Sequence, residues 1–276
     1  MKKIMVISIF LIGLGIFFYP IISNILSTKV HQSVIQEYSE TVKNMDQERI
    51  EMEKKKADQH NKELANSGLD FVDPFSEDAK SDERLGNKSY YDALNIGPAI
   101  GSIEIPKINM ELPIYHGSSD DVLSKGVGHL ENSSLPIGRP GTHSVLTAHR
   151  GLPTSKLFRN LDYLTFGDKF YIQVLGETMA YEVFDIKVVL PHETDWLQMK
   201  EDEDIVTLLT CDPYMINTHR LLVSGKRVPY HPDEKKQMVE NNQIPIYVYV
   251  LATLILFSII FLLYRRKKKA GGNDET

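Results

Sequence analysis

The sequence holds one cysteine, Cys211. It closes the β-type run Asp204-Ile205-Val206-Thr207-Leu208-Leu209-Thr210, and Asp212-Pro213-Tyr214 follows. The thiol thus stands at a strand end, where a rigid element positions a side chain and a loop exposes it. A free thiol titrates near about 8.5, so only a small fraction is thiolate at neutral pH, and a useful nucleophile needs a base or cation beside it. Two helpers are at hand. His149, in Thr147-Ala148-His149-Arg150-Gly151, ends another strand-like run. Arg220, in Asn217-Thr218-His219-Arg220, enters the strand that follows the cysteine. A histidine can protonate a leaving amine or sit as an imidazolium beside a thiolate. A permanently charged arginine can stabilise an oxyanion or hold a substrate carbonyl. The residues alone leave the partner open. There are nine histidines, and His129, His143 and His219 occupy settings comparable to that of His149. A buried cysteine acting as a small hydrophobe is the plain alternative.

Three strand ends must meet on one rim for this chemistry. From Ile100 onward the chain reads as short β-type runs punctuated by Pro and Gly: Ser102–Ile105, Leu112–Tyr115, Ser144–Ala148, Phe170–Val174, Tyr181–Val189, Ile205–Thr210 and Leu221–Arg227. Many short strands of this kind indicate a closed barrel or a sandwich. Asp120–Lys125 reads as a short helix capped by Ser118 or Ser119. Upstream, Val30, Val34, Ile35, Tyr38, Val42 and Met45 recur near a helical period, and a polar helical stretch follows at Gln47–Lys56. Asp73-Pro74-Phe75 falls in a loop, where an aromatic side chain needs a docking place.

Two apolar runs bracket the chain, about Ile4–Ile22 and about Ile244–Tyr264, each long enough to cross a hydrocarbon core. Arg265-Arg266-Lys267-Lys268-Lys269 follows the second at once and Lys2-Lys3 precedes the first, so both ends are expected inside and the middle outside. Ile25-x-Ser27 is only a weak cleavage signal, leaving a signal segment as the alternative for the first run. A single cysteine in an exported domain cannot form an internal disulfide. The net charge is −6, and the basic tail leaves the rest of the chain at −11, which argues against a nucleic-acid partner. The expected organisation is an anchor or signal segment at 1–26, a helical stalk with a loop at 27–99, a β-barrel at 100–230, a linker at 231–243, a span at 244–264 and a basic cytoplasmic tail at 265–276.

Thr207-Leu208-Leu209-Thr210-Cys211 resembles the TLxTC signature of the sortases, with a histidine about sixty residues upstream and an arginine nine downstream. The resemblance covers roughly 100–227 and includes Ile105-Pro106-Lys107-Ile108, Leu112-Pro113-Ile114-Tyr115-His116-Gly117, Gly126-Val127-Gly128-His129, Leu157-Phe158 and Gly167-Asp168. Ala148 departs from the glycine that relatives commonly carry before the histidine; a small residue is kept. The resemblance implies an eight-stranded β-barrel with a groove leading to the thiol, and a cysteine transpeptidase that cleaves LPxTG-like sorting signals through a thioester. It implies Cys211 as nucleophile, His149 as general acid and base, Arg220 as oxyanion or substrate-positioning residue, and Thr210 lining the site and helping to hold substrate. It implies neither cofactor nor metal.

Three features resemble class C, the pilus-assembling sortases: Asp73-Pro74-Phe75 as a lid, the long helical segment before the barrel, and the C-terminal span after it. The class implies pilin precursors as substrates and a pilin lysine as the acceptor amine; the expected protein is a monomer held by two membrane helices. A housekeeping or class D-like sortase serving the cell wall is the enzymatic alternative, and a tethered binding module with an inert cysteine is the non-enzymatic one. A papain-like hydrolase does not fit, because there the cysteine precedes the histidine and sits on a helix.

Overall fold

The structure is a computed structural model that describes residues 2–67, 73–75, 88–197, 202–242 and 258. Helix α1 spans Lys2–Lys43 and α2 spans Gln47–Ser67. Short helices α3 (Lys88–Asp92) and α4 (Asp120–Lys125) and a final helix α5 (Pro232–Asn242) complete the helical set among the described residues outside 3-10 turns. The strands are β1 (Gly101–Ile105), β2 (Met110–His116), β3 (Val127–His129), β4 (Thr142–Thr147), β5 (Lys169–Val174), β6 (Glu177–Val189), β7 (Asp204–Asp212) and β8 (His219–Val228). They close into one barrel in the order β1-β2-β3-β4-β7-β8-β6-β5, so the eight-stranded expectation holds. Closure leaves no edge strand to aggregate.

The strand that sequence reading missed is β3. Three residues are too few to show alternation, and Gly126 before the strand and Gly128 within it read as turn residues. Gly128 is required there: a Cβ would lie 2.4 Å from the Gly117 carbonyl oxygen, where β3 bends past the end of β2. Ser119 caps α4, its hydroxyl accepting from the Val122 amide at 3.4 Å.

The barrel interior is packed with Ile103, Ile105, Ile114, Leu146, Val206 and Leu208, together with the stacked rings of Phe170 and Tyr181. Helix α1 is unbroken from its apolar half into its stalk half. The stalk half lies against the barrel, with Tyr38 fully buried. The Tyr38 hydroxyl donates to the Ile100 carbonyl at 3.0 Å and accepts from the Leu175 amide at 2.9 Å. From α2, Asn61 exchanges two hydrogen bonds with the Leu135 backbone, and Glu53 accepts from the Leu94 amide. The stalk is therefore part of the folded body.

Among the described residues one helix is long and apolar enough to cross a membrane, over Leu11–Lys43 near the N-terminus. The expected C-terminal span, 244–264, lies outside the described residues except for Ser258.

His129 shows how the buried polar groups are satisfied. Its Nδ1 accepts from the Tyr90 hydroxyl at 3.0 Å and its Nε2 donates to the Ser134 carbonyl at 2.8 Å. Complete burial, opposed by the Ser134 carbonyl, lowers its pKa to about 3. The unfolded side chain titrates near 6.5, so the stability tied to neutral His129 is complete above that pH and is lost as pH falls toward about 3. His129 alone should cost about 2 kcal/mol between pH 7 and pH 5. Thermal melts of wild type and His129→Gln across that range test this: wild-type Tm should fall on acidification, and the variant, less stable at pH 7, should show a shallower fall.

Candidate active site

Strands β4 and β7 run parallel, with Thr147 opposite Leu209 as the last pair. The segment past β4 stays pinned to β7. The Ala148 amide donates to the Leu209 carbonyl at 3.2 Å, and the Thr210 hydroxyl donates to the Ala148 carbonyl at 2.7 Å. On the other side of β7, Cys211 is opposite Arg220 on β8. The three strand ends thus bring His149, Cys211 and Arg220 to one rim.

Residue parity sets the face. Leu146, Ala148, Leu208, Leu221 and Val223 belong to the barrel core, whereas Val145, Leu209 and Leu222 join Leu130 and Leu197 in a second apolar cluster outside it. Cys211 and Arg220 are each two residues from a member of that outer cluster, so they share its face. Thr210 has the opposite parity. It is fully buried with its hydroxyl donated to the Ala148 carbonyl, on the face opposite to Cys211 and Arg220.

Asp73, Pro74 and Phe75 sit on this rim. Arg220 grips Asp73 with two parallel hydrogen bonds, Nε to Oδ1 at 2.8 Å and Nη2 to Oδ2 at 2.6 Å. Its Nη1 donates to the carbonyls of Asn217 and His219, which fixes the guanidinium plane. Phe75 lies 5.5 Å from the His149 ring between centroids, with the Arg220 guanidinium carbon 5.4 Å from its centre, and packs on the outer cluster. Asp73 and Arg220 are both buried. Asp73 and Phe75 therefore cover the rim with one ion pair and one ring.

Burial pushes the Cys211 thiol up to about 11; Arg220 and Arg150 favour the thiolate and Asp73 opposes it. Burial also lowers the His149 pKa, against a weaker pull from Asp120. With the lid docked, cysteine and histidine are both neutral at pH 7. Asp73 and the hydrogen bonds it accepts hold the Arg220 pKa above its usual value despite burial.

The other histidines are engaged elsewhere. His129 is in the Tyr90 network, His143 Nε2 meets the Thr207 hydroxyl at 2.8 Å, and the His219 ring meets the Thr218 hydroxyl at 2.9 Å. Sequence reasoning missed Arg150. This buried guanidinium donates to Asp212 beside the cysteine, pairs with Asp162 at 2.9 Å, and reaches the Cys211 carbonyl at 3.4 Å. It ties the His149 segment to the cysteine segment. Its only sequence signal is its place next to His149. No group of three or more His, Cys, Asp or Glu side chains among the described residues is placed to hold a metal.

The sortase domain profile matches residues 103–228. The chain is 36% identical over 135 residues to sortase D of Bacillus subtilis (strain 168), covering 48% of this chain and 65% of that protein. It thus spans just under two thirds of that curated relative's length. A solved sortase C of Streptococcus pneumoniae is 46% identical with a TM-score of 0.66, covering 72% of this chain and 97% of the other. A pilus-related sortase C of Group B Streptococcus is 47% identical with a TM-score of 0.64, covering 71% and 97%. The chain belongs to the sortase family.

Proposed function

We propose that this chain is a class C sortase, a membrane-anchored transpeptidase that joins pilin subunits. The observation that carries this reading is the Asp73-Pro74-Phe75 lid, bound through Asp73 to Arg220 and through Phe75 to the His149 ring. The similarity to the pilus-related sortase C and to a Streptococcus pneumoniae sortase C studied for pilin substrate specificity supports the same assignment.

In the proposed reaction the lid swings away and an LPxTG-like signal takes its place. The Cys211 thiolate attacks the threonine carbonyl carbon, and Arg220, released from Asp73, faces the oxyanion with its fork of N–H donors. Protonated His149 gives its proton to the departing glycine amine as the C–N bond breaks, leaving a thioester on Cys211. A pilin lysine amine then attacks the thioester and passes its proton to His149. The thiolate leaves and an isopeptide bond remains. Thr210 acts as a positioning residue, holding β7 to the Ala148-His149 segment.

Helix α1 anchors the domain in the membrane, and we assign 244–264 to a second span, which puts the barrel outside the cell with both termini inside. A wall-directed sortase differs only in the acceptor. A variant with an opened lid, Asp73→Ala, should join an LPxTG-type peptide to a peptide whose sole amine is a lysine side chain, in preference to a cell-wall cross-bridge amine. The reverse preference by mass spectrometry would move the assignment to the wall-directed class.

The lid also gives a pH signature. At pH 8 a thiol titrating at about 11 is ionised in roughly one molecule per thousand. Its alkylation rate should therefore keep rising with pH well above 9. Asp73→Ala removes an opposing charge and relieves burial, so the profile should shift to lower pH and the rate at pH 8 should rise at least about tenfold. Phe75→Ala should shift the profile the same way. An unchanged rate in both variants would count against the lid.

A further inference from the structure

We propose that the rim carrying Cys211 faces the bilayer, and that the tip of the β7–β8 loop, Tyr214-Met215-Ile216, seats in the lipid headgroup and upper acyl layer of the membrane that α1 spans. The inference rests on the membrane reading of α1 and extends it to the orientation of the site.

Helix α1 is a ruler laid along the barrel. Its apolar run ends at Ile22, and Asn24 stands about 3 Å further along the axis. The Asn24 side chain accepts from the Lys156 amide at 3.1 Å, in the β4–β5 connection just past His149. Tyr38, about 21 Å further along α1, is bonded instead to Ile100 and Leu175, at the opposite end of the barrel. The His149 end of the barrel is thus held at the membrane end of α1, and the far end is held away from it.

From Lys156 the contact passes directly to the β7–β8 loop. The Arg159 amide donates to the Lys156 carbonyl at 2.8 Å, and the Arg159 guanidinium carbon lies 5.5 Å from the Tyr214 ring centre. Tyr214, Met215 and Ile216 are 43%, 78% and 67% exposed. Other exposed large hydrophobic residues share this end: Tyr163 and Phe166 in the β4–β5 connection and Val188 at the end of β6, near Arg220. Three consecutive exposed apolar residues flanked by Lys156 and Arg159 have the composition of a membrane interface, where tyrosine rings sit at headgroup level and basic side chains meet lipid phosphates. That layer is on the order of 6 Å deep on each side, enough for a loop tip.

The test reads depth and not turnover, so it is independent of the sortase assignment. In the full-length protein in lipid nanodiscs, with Trp196→Phe as background, single tryptophans are introduced as Ile216→Trp, Met52→Trp and Phe17→Trp. Phospholipids brominated high on the acyl chain should quench Ile216→Trp and shift its emission to the blue, and should leave Met52→Trp unquenched. Phe17→Trp should be quenched by deep bromines, which reports α1 insertion by itself. Because tryptophan favours the interface, a nitroxide on Ile216→Cys in a Cys211→Ala background gives a second reading: collisions with oxygen should exceed those with a water-soluble nickel complex. Quenching of Phe17→Trp with Ile216→Trp behaving like Met52→Trp, and a nitroxide more accessible to nickel, would overturn the proposal and leave the loop to a protein partner. No quenching of Phe17→Trp would remove the membrane reading of α1 and this inference together.

Discussion

Cys211→Ala should abolish the acyl-enzyme and lower transpeptidation by roughly 10⁴-fold or more, the scale on which removing a covalent nucleophile acts. The structure separates this loss from unfolding. Cys211 lies outside the barrel core, at the end of a strand whose nine residues are paired to both neighbours along most of its length. Removing one sulfur there is a small change, so Tm should stay within the range of ordinary single substitutions. Cys211→Ser keeps the shape and should be nearly as inactive, because a hydroxyl is ionised far less readily than a thiol. Turnover and melting curves on both variants check the prediction.

Arg220→Ala should lower kcat by about 10²- to 10³-fold, the scale of losing one oxyanion donor. It also removes the two charge-assisted hydrogen bonds by which Arg220 holds Asp73 at the rim. Breaking a buried ion pair by removing one partner costs about 3–5 kcal/mol, so Asp73 and Phe75 should leave the rim. Asp73→Ala breaks the same ion pair from the other side and should raise turnover by exposing the thiol. One ion pair thus gives opposite effects on rate according to which partner is removed. Arg220→Lys should recover only part of the loss, since a lysine keeps the charge but not the fork that grips Asp73 through two nitrogens. Steady-state rates with hydrogen exchange at residues 73–75 separate the two effects. Full recovery by lysine would mean that charge alone matters.

Much of the barrel was legible because its strands alternate with turn residues and carry β-branched side chains. The three-residue β3 was not, for want of length. The facing of β7 was also hidden. Asp204 through Cys211 are all buried, the inner face by the barrel core and the outer face near the rim by the lid, Leu130 and Trp196. A strand covered on both sides loses the period-two signal, so nothing in the run revealed which face Thr210 and Cys211 each take. His149 was one of several histidines in similar settings until the β4–β7 register brought it to the end where Cys211 lies. Asp73-Pro74-Phe75 read as a loop with an unplaced aromatic; its docking place, Arg220, lies 147 residues away. Arg150 was missed for a similar reason, since Asp212, its partner beside the cysteine, lies 62 residues away.

The central claim is that Cys211 forms a thioester with a sorting signal once the lid is displaced. The direct measurement is the intact mass of the full-length protein after incubation with an LPxTG-type peptide, for Asp73→Ala with and without Cys211→Ala. A hydroxylamine-sensitive adduct on Asp73→Ala and none on the double variant is the predicted result. An adduct that persists without Cys211, or an open-lid protein that stays unmodified by any LPxTG-type peptide, would contradict the account.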